Sequence, residues 1–404
     1  MKSKGIHFRQ VFLDVIDDLL SELYSEIHSR EDFLFFFYFF DHHLAYSNDE
    51  WIQFDMHSAR KIFGRQSQKW KLQAIIKSLS DRKIIESTSY YFDLQDKNNS
   101  TTRKYRYTEE FERQIINEEI KFATGNISQK SYERFVKANK PAEIHLLAQY
   151  EILNSERFKI DLDLGMQWLI DKLKSRSITK NSFHVNCRVL LSIDNKDYIY
   201  VKQDEKTGRV FTSFSCMKRE LRSFCTIDNE KLDSVDLKAA QPTFLAHHLL
   251  NEHPDNKDVR EFYGVVTEED IYNYLDKHFY YREMYARFMP DELRDQSKIE
   301  FMRWIFSDAR GSTDYSKAIK KEFPDVWKFV QNEKTAFKRK KTNYAIELQK
   351  IEASIFIEGM RDIFHEGVLS VHDSLYFKTG LKAKVHEALR ESLLKNKIKS
   401  FQLK

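Results

Sequence analysis

The stretch Val371-His372-Asp373-Ser374-Leu375-Tyr376-Phe377 constrains this chain more than any other. An apolar run from Gly367 to Ser370 leads into it and apolar residues alternate after it, the pattern of a β-hairpin whose turn presents His372 and Asp373. A carboxylate set between buried strands is costly unless something charged meets it, and a divalent cation is the usual solution. Upstream, Ser234-Val235-Asp236-Leu237-Lys238-Ala239-Ala240-Gln241-Pro242 repeats the theme: an apolar strand ends in Asp236 just before a helix start. Brought together, Asp236 and Asp373 would hold two Mg²⁺ ions, with Mn²⁺ as the alternative, the arrangement used for in-line phosphoryl transfer. Taken singly, Asp236 also suits a helix N-cap before Leu237 to Leu250, and His372 a buried turn histidine.

With 404 residues the chain has room for two or three domains, each with a core. A net charge of only +4 means that nucleic-acid binding must come from local basic patches rather than a general positive field. Cys187, Cys216 and Cys225 lack metal-ligand spacing, and with 14% aromatics and so few cysteines an intracellular, cytoplasmic setting is the default. The basic start, Met1 to Arg9, is followed by no signal-peptide pattern, and the run from Phe33 to Phe40 is too short to span a bilayer. No membrane partner is expected; the Phe-rich run reads as a buried helix or strand.

Along the chain, Gln10 to Ser29 reads as an amphipathic helix, Met56 to Gly64 as a short one and Ser67 to Asp81 as a longer one. A strand-like Ser87 to Leu94, a polar turn and a basic return strand, Arg103 to Tyr107, follow. Two helices and a basic hairpin resemble the winged helix-turn-helix family over roughly residues 45–110. The resemblance implies sequence-specific duplex DNA as a partner, with Lys69, Lys71, Gln73 and Lys77 at the major groove and Arg103, Lys104 and Arg106 at phosphates. A solvated charged face, or a protein-binding winged helix, is the alternative. Residues 111–185 read as mostly helical, with one segment ending at Ile120 to Gly125 and a linker from Asn126 to Ala142. Strands are expected at Cys187 to Ile193, Asp197 to Val201 and Arg209 to Phe214, with a turn at Asp204 to Gly208. Helices then run from Asp236 to about Glu366.

A further helix carries Arg294, Lys298, Met302 and Phe306, each four residues from the next and so on one face. Thr207-Gly208-Arg209-Val210-Phe211 and Gln349-Lys350-Ile351-Glu352-Ala353 complete the set. In this order the segments resemble the single-subunit right-hand polymerases, family A DNA polymerases and phage-type RNA polymerases, over roughly residues 186–380. The resemblance implies that Asp236 and Asp373 bind the two metal ions, and that Arg294 and Lys298 meet the incoming triphosphate, with Lys298 protonating the leaving group. Phe306 and Met302 would stack on the nascent pair and Gln241 would crowd the sugar. Arg209, Gln349 and His372 would hold template and primer. Ser374, Met302 and Phe306 depart toward the RNA enzymes or away from both families, whereas Gln241 and Gln349 look DNA-type.

The expected fold is α+β and mostly helical. It comprises an N-terminal helical, winged-helix-like domain (1–125), a helical linker or reduced thumb (126–185), and a palm-like antiparallel sheet with inserted fingers helices (186–404). The expected activity is nucleotidyl transfer by a minimal DNA polymerase, serving replication of a mobile element, with DNA template, primer and nucleoside triphosphates as partners. A phage-type RNA polymerase or primase-like enzyme, and a non-catalytic DNA-binding protein, are the alternatives.

Overall fold

The structure, a computed structural model, describes residues 3–19, 33–34, 36–37, 40, 51–53, 69–88, 104–117, 122–128, 141, 143–196, 199–269, 271–272, 274, 290–307, 314–340 and 342–404. Over these residues the protein is mostly helical with antiparallel sheet, an α+β fold. It forms two compact units. The first comprises residues 1–142, 150–201 and 212–229; the second comprises 143–149, 202–211 and 230–404.

In the first unit, strand Ser3–Arg9 pairs antiparallel with Phe122–Ser128, Ser3 opposite Ser128 and Arg9 opposite Phe122. The expected helix end at Ile120 to Gly125 and linker start at Asn126 are therefore corrected over the described residues: Phe122 to Ser128 satisfy their backbone groups across a strand pair. Helix Gln10–Leu19 follows the first strand, and Phe33, Leu34, Phe36, Phe37 and Phe40 are helical and buried. Phe40 meets Tyr107 at 4.8 Å between ring centroids, and Tyr107 meets Phe111 at 5.4 Å, so aromatic burial ties the Phe-rich run to its neighbours. Helix Lys69–Asp81 falls in sequence after the first strand of a three-stranded sheet in which Lys104–Tyr107 lies between Ile52–Gln53 and Ile85–Ser87. The expected helix at Met56 to Gly64 lies outside the described residues.

The largest correction concerns Cys187 to Ile193, expected as a strand and found inside helix Lys180–Asn195. Its Cys187, Val189, Leu190, Leu191 and Ile193 are all buried, and a run buried all round carries no period to distinguish helix from strand. The ends decide. Thr179 caps the helix by accepting from the Ser182 amide, and Lys196 closes it in a left-handed conformation at φ 51°. The Lys196 ammonium donates to the Leu153 and Phe158 carbonyls, and burial lowers its pKa to about 8.

The second unit holds a set of antiparallel strands. Strand Ser374–Lys378 lies between Val368–Val371 and Glu230–Asp236, antiparallel to both. The Gln149 side chain accepts from both the amide and the hydroxyl of Ser370 at 3.0 Å, satisfying a buried strand position. Helices Ala240–Glu252, Lys257–Glu268, Pro290–Phe306, Asp314–Glu322, Pro324–Arg339 and Tyr344–Ala353 come between the strands in sequence. Helix Tyr344–Ala353 runs on through one π turn, Ser354–Glu358, to Gly359.

At Gly359 an added Cβ would lie 2.6 Å from Ser392 Cβ and 2.7 Å from the Ile355 carbonyl oxygen, which accepts from the Ser392 hydroxyl at 3.0 Å. Gly359→Ala must push helix Lys382–Lys395 away from the π turn. A loss of roughly 2 kcal/mol is expected, read as a lower urea midpoint with unchanged slope.

Candidate active site

The second unit brings both aspartates of the sequence reading to one place. Val371 pairs with Ser374, so His372 and Asp373 are the two residues of a tight hairpin loop. His372 supplies the positive φ, 54°, that such a loop needs. On the other side of the same strand, Asp236 pairs with Ser374, and the next amide, Leu237, donates to the Asp373 carbonyl at 3.3 Å. Asp236 is the last residue of its strand. The helix N-cap is Ala239, left-handed at φ 51° with no side-chain cap bond, so Asp236 is not that cap.

The electrostatics follow from this register. Burial, then the Asp236 charge and then Glu352, push the Asp373 carboxyl up to about 7, while Lys298 pulls the other way. Three groups distant in sequence, Asp236, Glu352 and Lys298, thus act on one carboxyl. His372 rests its ring edge-on against Phe211, with centroids 5.5 Å apart.

Glu352 is the residue that sequence reasoning passed over. It is almost fully buried in helix Tyr344–Ala353 and accepts from Arg209 Nε and a terminal guanidinium nitrogen, each at 2.7 Å. The Gln241 amide nitrogen donates to the same carboxylate at 2.7 Å. A buried carboxylate requires such partners, and a lone acid between Ile351 and Ala353 was the available signal. Arg209 and Gln241, expected to face nucleic acid and sugar, are thus joined through Glu352. Gln349, one helical turn earlier, is buried at 9% exposure.

Arg209 reaches Glu352 from a hairpin between Val201–Gln203 and Val210–Thr212. The strand expected to continue to Phe214 ends at Thr212, whose hydroxyl caps the short helix Ser213–Cys216. The expected turn at Asp204 to Gly208 is present: Asp204 accepts from the Thr207 amide and hydroxyl, and its amide donates to the Arg209 carbonyl at 2.8 Å. Gly208, at φ 74°, would bring any Cβ to 3.0 Å from Ala353 Cβ, so a glycine permits both the turn and the close approach to the helix bearing Glu352.

Helix Pro290–Phe306 buries Ser297, Phe301, Trp304 and Ile305, leaving Lys298 and Phe306 exposed and Arg294 and Met302 partly so. Arg294 lies 5.3 Å from the Tyr272 ring centroid. The helix end is held from outside. Buried Lys334 donates to the Trp304 carbonyl and, at 3.2 Å, to the Ser307 hydroxyl; Asn343 donates to the Phe306 carbonyl at 3.1 Å. A cation and an amide on the last carbonyls oppose the negative end of the helix dipole.

No protein-family model matches this chain, and no curated protein matches it. Among the described residues no group of three or more His, Cys, Asp or Glu side chains is arranged to hold a metal ion; Asp236 and Asp373 are a pair. Two hard carboxylates suit Mg²⁺, which keeps several waters and takes its remaining ligands from substrate phosphates. Among the described residues no helix is long and apolar enough to cross a membrane.

In the first unit, Gln73 and Lys77 are exposed on helix Lys69–Asp81, which also carries Lys69 and Lys71. Arg106 is engaged: it pairs with Glu86 at 2.6 Å and lies over the Trp51 ring at 4.5 Å, while the Lys104 amide donates to the Thr88 hydroxyl. Arg103 lies outside the described residues.

Asp373 gives a signed expectation. It ionises near 3.8 in the unfolded chain and near 7 in the fold, so the native state holds the extra proton between those values. Stability from this group is present below about pH 3.8 and is lost as pH rises to about 7. Asp373→Asn should raise the urea midpoint at pH 8 and change it little at pH 5. Added Mg²⁺ should raise the midpoint of the unaltered chain at pH 8 but not that of the variant.

Proposed function

We propose that this protein is a template-directed nucleotidyltransferase, a minimal polymerase that extends a 3′-hydroxyl. The observation that carries the reading is the meeting of Asp236, at the end of its strand, with Asp373, in the turn of the neighbouring hairpin, within electrostatic reach of Lys298. Two carboxylates and a helix-borne cation at one point are what in-line phosphoryl transfer requires. A palm-like sheet with inserted fingers helices is the corresponding fold, and a winged-helix-like module in residues 45–110 is read as the part that selects duplex DNA.

Asp236 and Asp373 would hold the two Mg²⁺ ions. When bound, these lower the pKa of the attacking hydroxyl and neutralise charge on the leaving pyrophosphate. The chain's own residues do the rest. Lys298, exposed on its helix, pairs with the triphosphate and delivers a proton to the departing phosphate oxygen. Arg294 adds a second cation one turn earlier, although it is already drawn toward Tyr272. Met302 and Phe306 continue the same helix side and offer an apolar surface to the base. His372, braced by Phe211, lies beside Asp373 and positions the primer end. Arg209 and Gln349 line the approach of the primer-template, with Arg209 steadied by Glu352.

Extension of DNA is the favoured activity, with replication of a mobile element as its setting. Synthesis of RNA by a phage-type or primase-like enzyme is the second reading. It is favoured by Ser374, which takes the strand position opposite Asp236, and by Phe306, which has no hydroxyl.

Incubation with dNTPs and with NTPs, on primed and unprimed templates, separates these readings. Mg²⁺-dependent incorporation is expected, abolished in Asp373→Ala; normal incorporation by that variant would remove the metal assignment. Lys298→Ala should lower kcat on the order of 10³-fold, the scale of a cation acting on a transferred phosphoryl group.

A further inference from the structure

Gln241 lies in the first turn of helix Ala240–Glu252, five residues after Asp236, and is 6% exposed. Its amide nitrogen donates to Glu352, whose carboxylate is gripped by the Arg209 fork through two bonds of 2.7 Å. A carboxylate held in this way only accepts, so the Gln241 amide must turn its NH₂ end toward it. The other end, Oε1, is buried with no hydrogen-bond donor among the described residues. A buried acceptor without a donor costs more than an ordinary bond returns, which marks a place where a ligand's donor would be taken up.

We infer that Glu352 is a positioning residue that sets which end of the Gln241 amide the site offers, leaving Oε1 to accept from a sugar hydroxyl of the incoming nucleotide. The inference rests on the nucleotidyl-transfer reading and deepens it. With the triphosphate directed to Asp236, Asp373 and Lys298, the sugar is the next part of the nucleotide, and its hydroxyls are the donors nearest the phosphates. Gln241 then does not merely crowd the sugar, as its place in the sequence implies. It recognises a hydroxyl, and a buried polar group built to bond a hydroxyl rejects the analogue lacking it more firmly than shape alone can. Glu352 itself touches no substrate. It acts by denying the amide its alternative orientation, and Arg209 holds the carboxylate in place.

Single-nucleotide addition is measured with NTPs, 2′-deoxy-NTPs and 3′-deoxy-NTPs, so the hydroxyl concerned is identified as well as tested. Removing that hydroxyl should lower kcat/KM of the unaltered chain roughly tenfold. Gln241→Met, close in size but without an acceptor, should bring the ratio to near unity. Glu352→Gln presents an amide that can meet Gln241 at either end, and should lose part of the discrimination; a purely structural role would lower all three rates equally. Should Glu352→Gln fail to fold, Gln241→Met still decides, because it leaves the Arg209–Glu352 pair intact. Equal use of all three nucleotides, or a preference undiminished in Gln241→Met, overturns the inference. Addition of no nucleotide at all by the unaltered chain overturns the reading beneath it, an outcome recognisably different from addition without discrimination.

Discussion

Two like charges, Asp236 and Asp373, are held beside each other by backbone hydrogen bonds that neither side chain can escape. Their mutual repulsion is visible in the raised Asp373 carboxyl, yet the strand register leaves no freedom to separate them. The Leu237 amide donates to the Asp373 carbonyl. Asp236 exchanges both backbone bonds with Lys404, at 3.1 and 2.8 Å, and the Lys238 amide donates to the Gln402 carbonyl. The end of the Asp236 strand is thus gripped by the hairpin turn and by the segment around Leu403. Sheet hydrogen bonds fix backbone positions regardless of what the side chains prefer, which is how a fold can hold an arrangement that its carboxylates oppose. Strain of this kind belongs at a site whose ligand relieves it.

Glu352 shows the same economy from the opposite direction. A third carboxylate within reach of the pair adds to the repulsion felt by Asp373. The bidentate Arg209 partner balances its charge locally, and Gln241 takes up further accepting capacity. Breaking such a pair by removing one member leaves a buried charge, a loss of about 3–5 kcal/mol. The pair is therefore a weak source of stability and a strong source of geometry. It fixes the hairpin bearing Arg209, the helix bearing Glu352 and the first turn of the helix after Asp236 relative to one another.

Much of this was legible because particular residues announce local structure. Val371 to Phe377 alternates about a His-Asp turn, and the turn and both strands are present; Arg294, Lys298, Met302 and Phe306 recur every fourth residue, and their helix is present. Asp204 to Gly208 carried turn chemistry and makes a turn. Cys187 to Ile193 was misread because full burial erases period, and Phe122 to Ser128 because no alternation marks a strand there. The site partners were harder. That Glu352 meets Arg209 across 143 positions of sequence is a property of packing, which no local pattern records. Lys334 is likewise unremarkable within its helix until the Trp304 carbonyl is found beside it.

Charge at the site divides by element in a way that bears on what it can bind. The sheet and its hairpin turn contribute Asp236 and Asp373. Helix Pro290–Phe306 contributes Lys298, exposed and acting on Asp373 only as a minor opposing charge. A site with carboxylates on one wall and an ammonium on the other is complementary to a ligand carrying both signs, cations against the sheet and anionic oxygens against the helix. A metal-bound triphosphate has that distribution, whereas an uncomplexed anion would meet the carboxylates and a bare cation would leave Lys298 without a role. In the proposed reaction, neither component is expected to bind well without the other, because each supplies the charge that the other's wall repels.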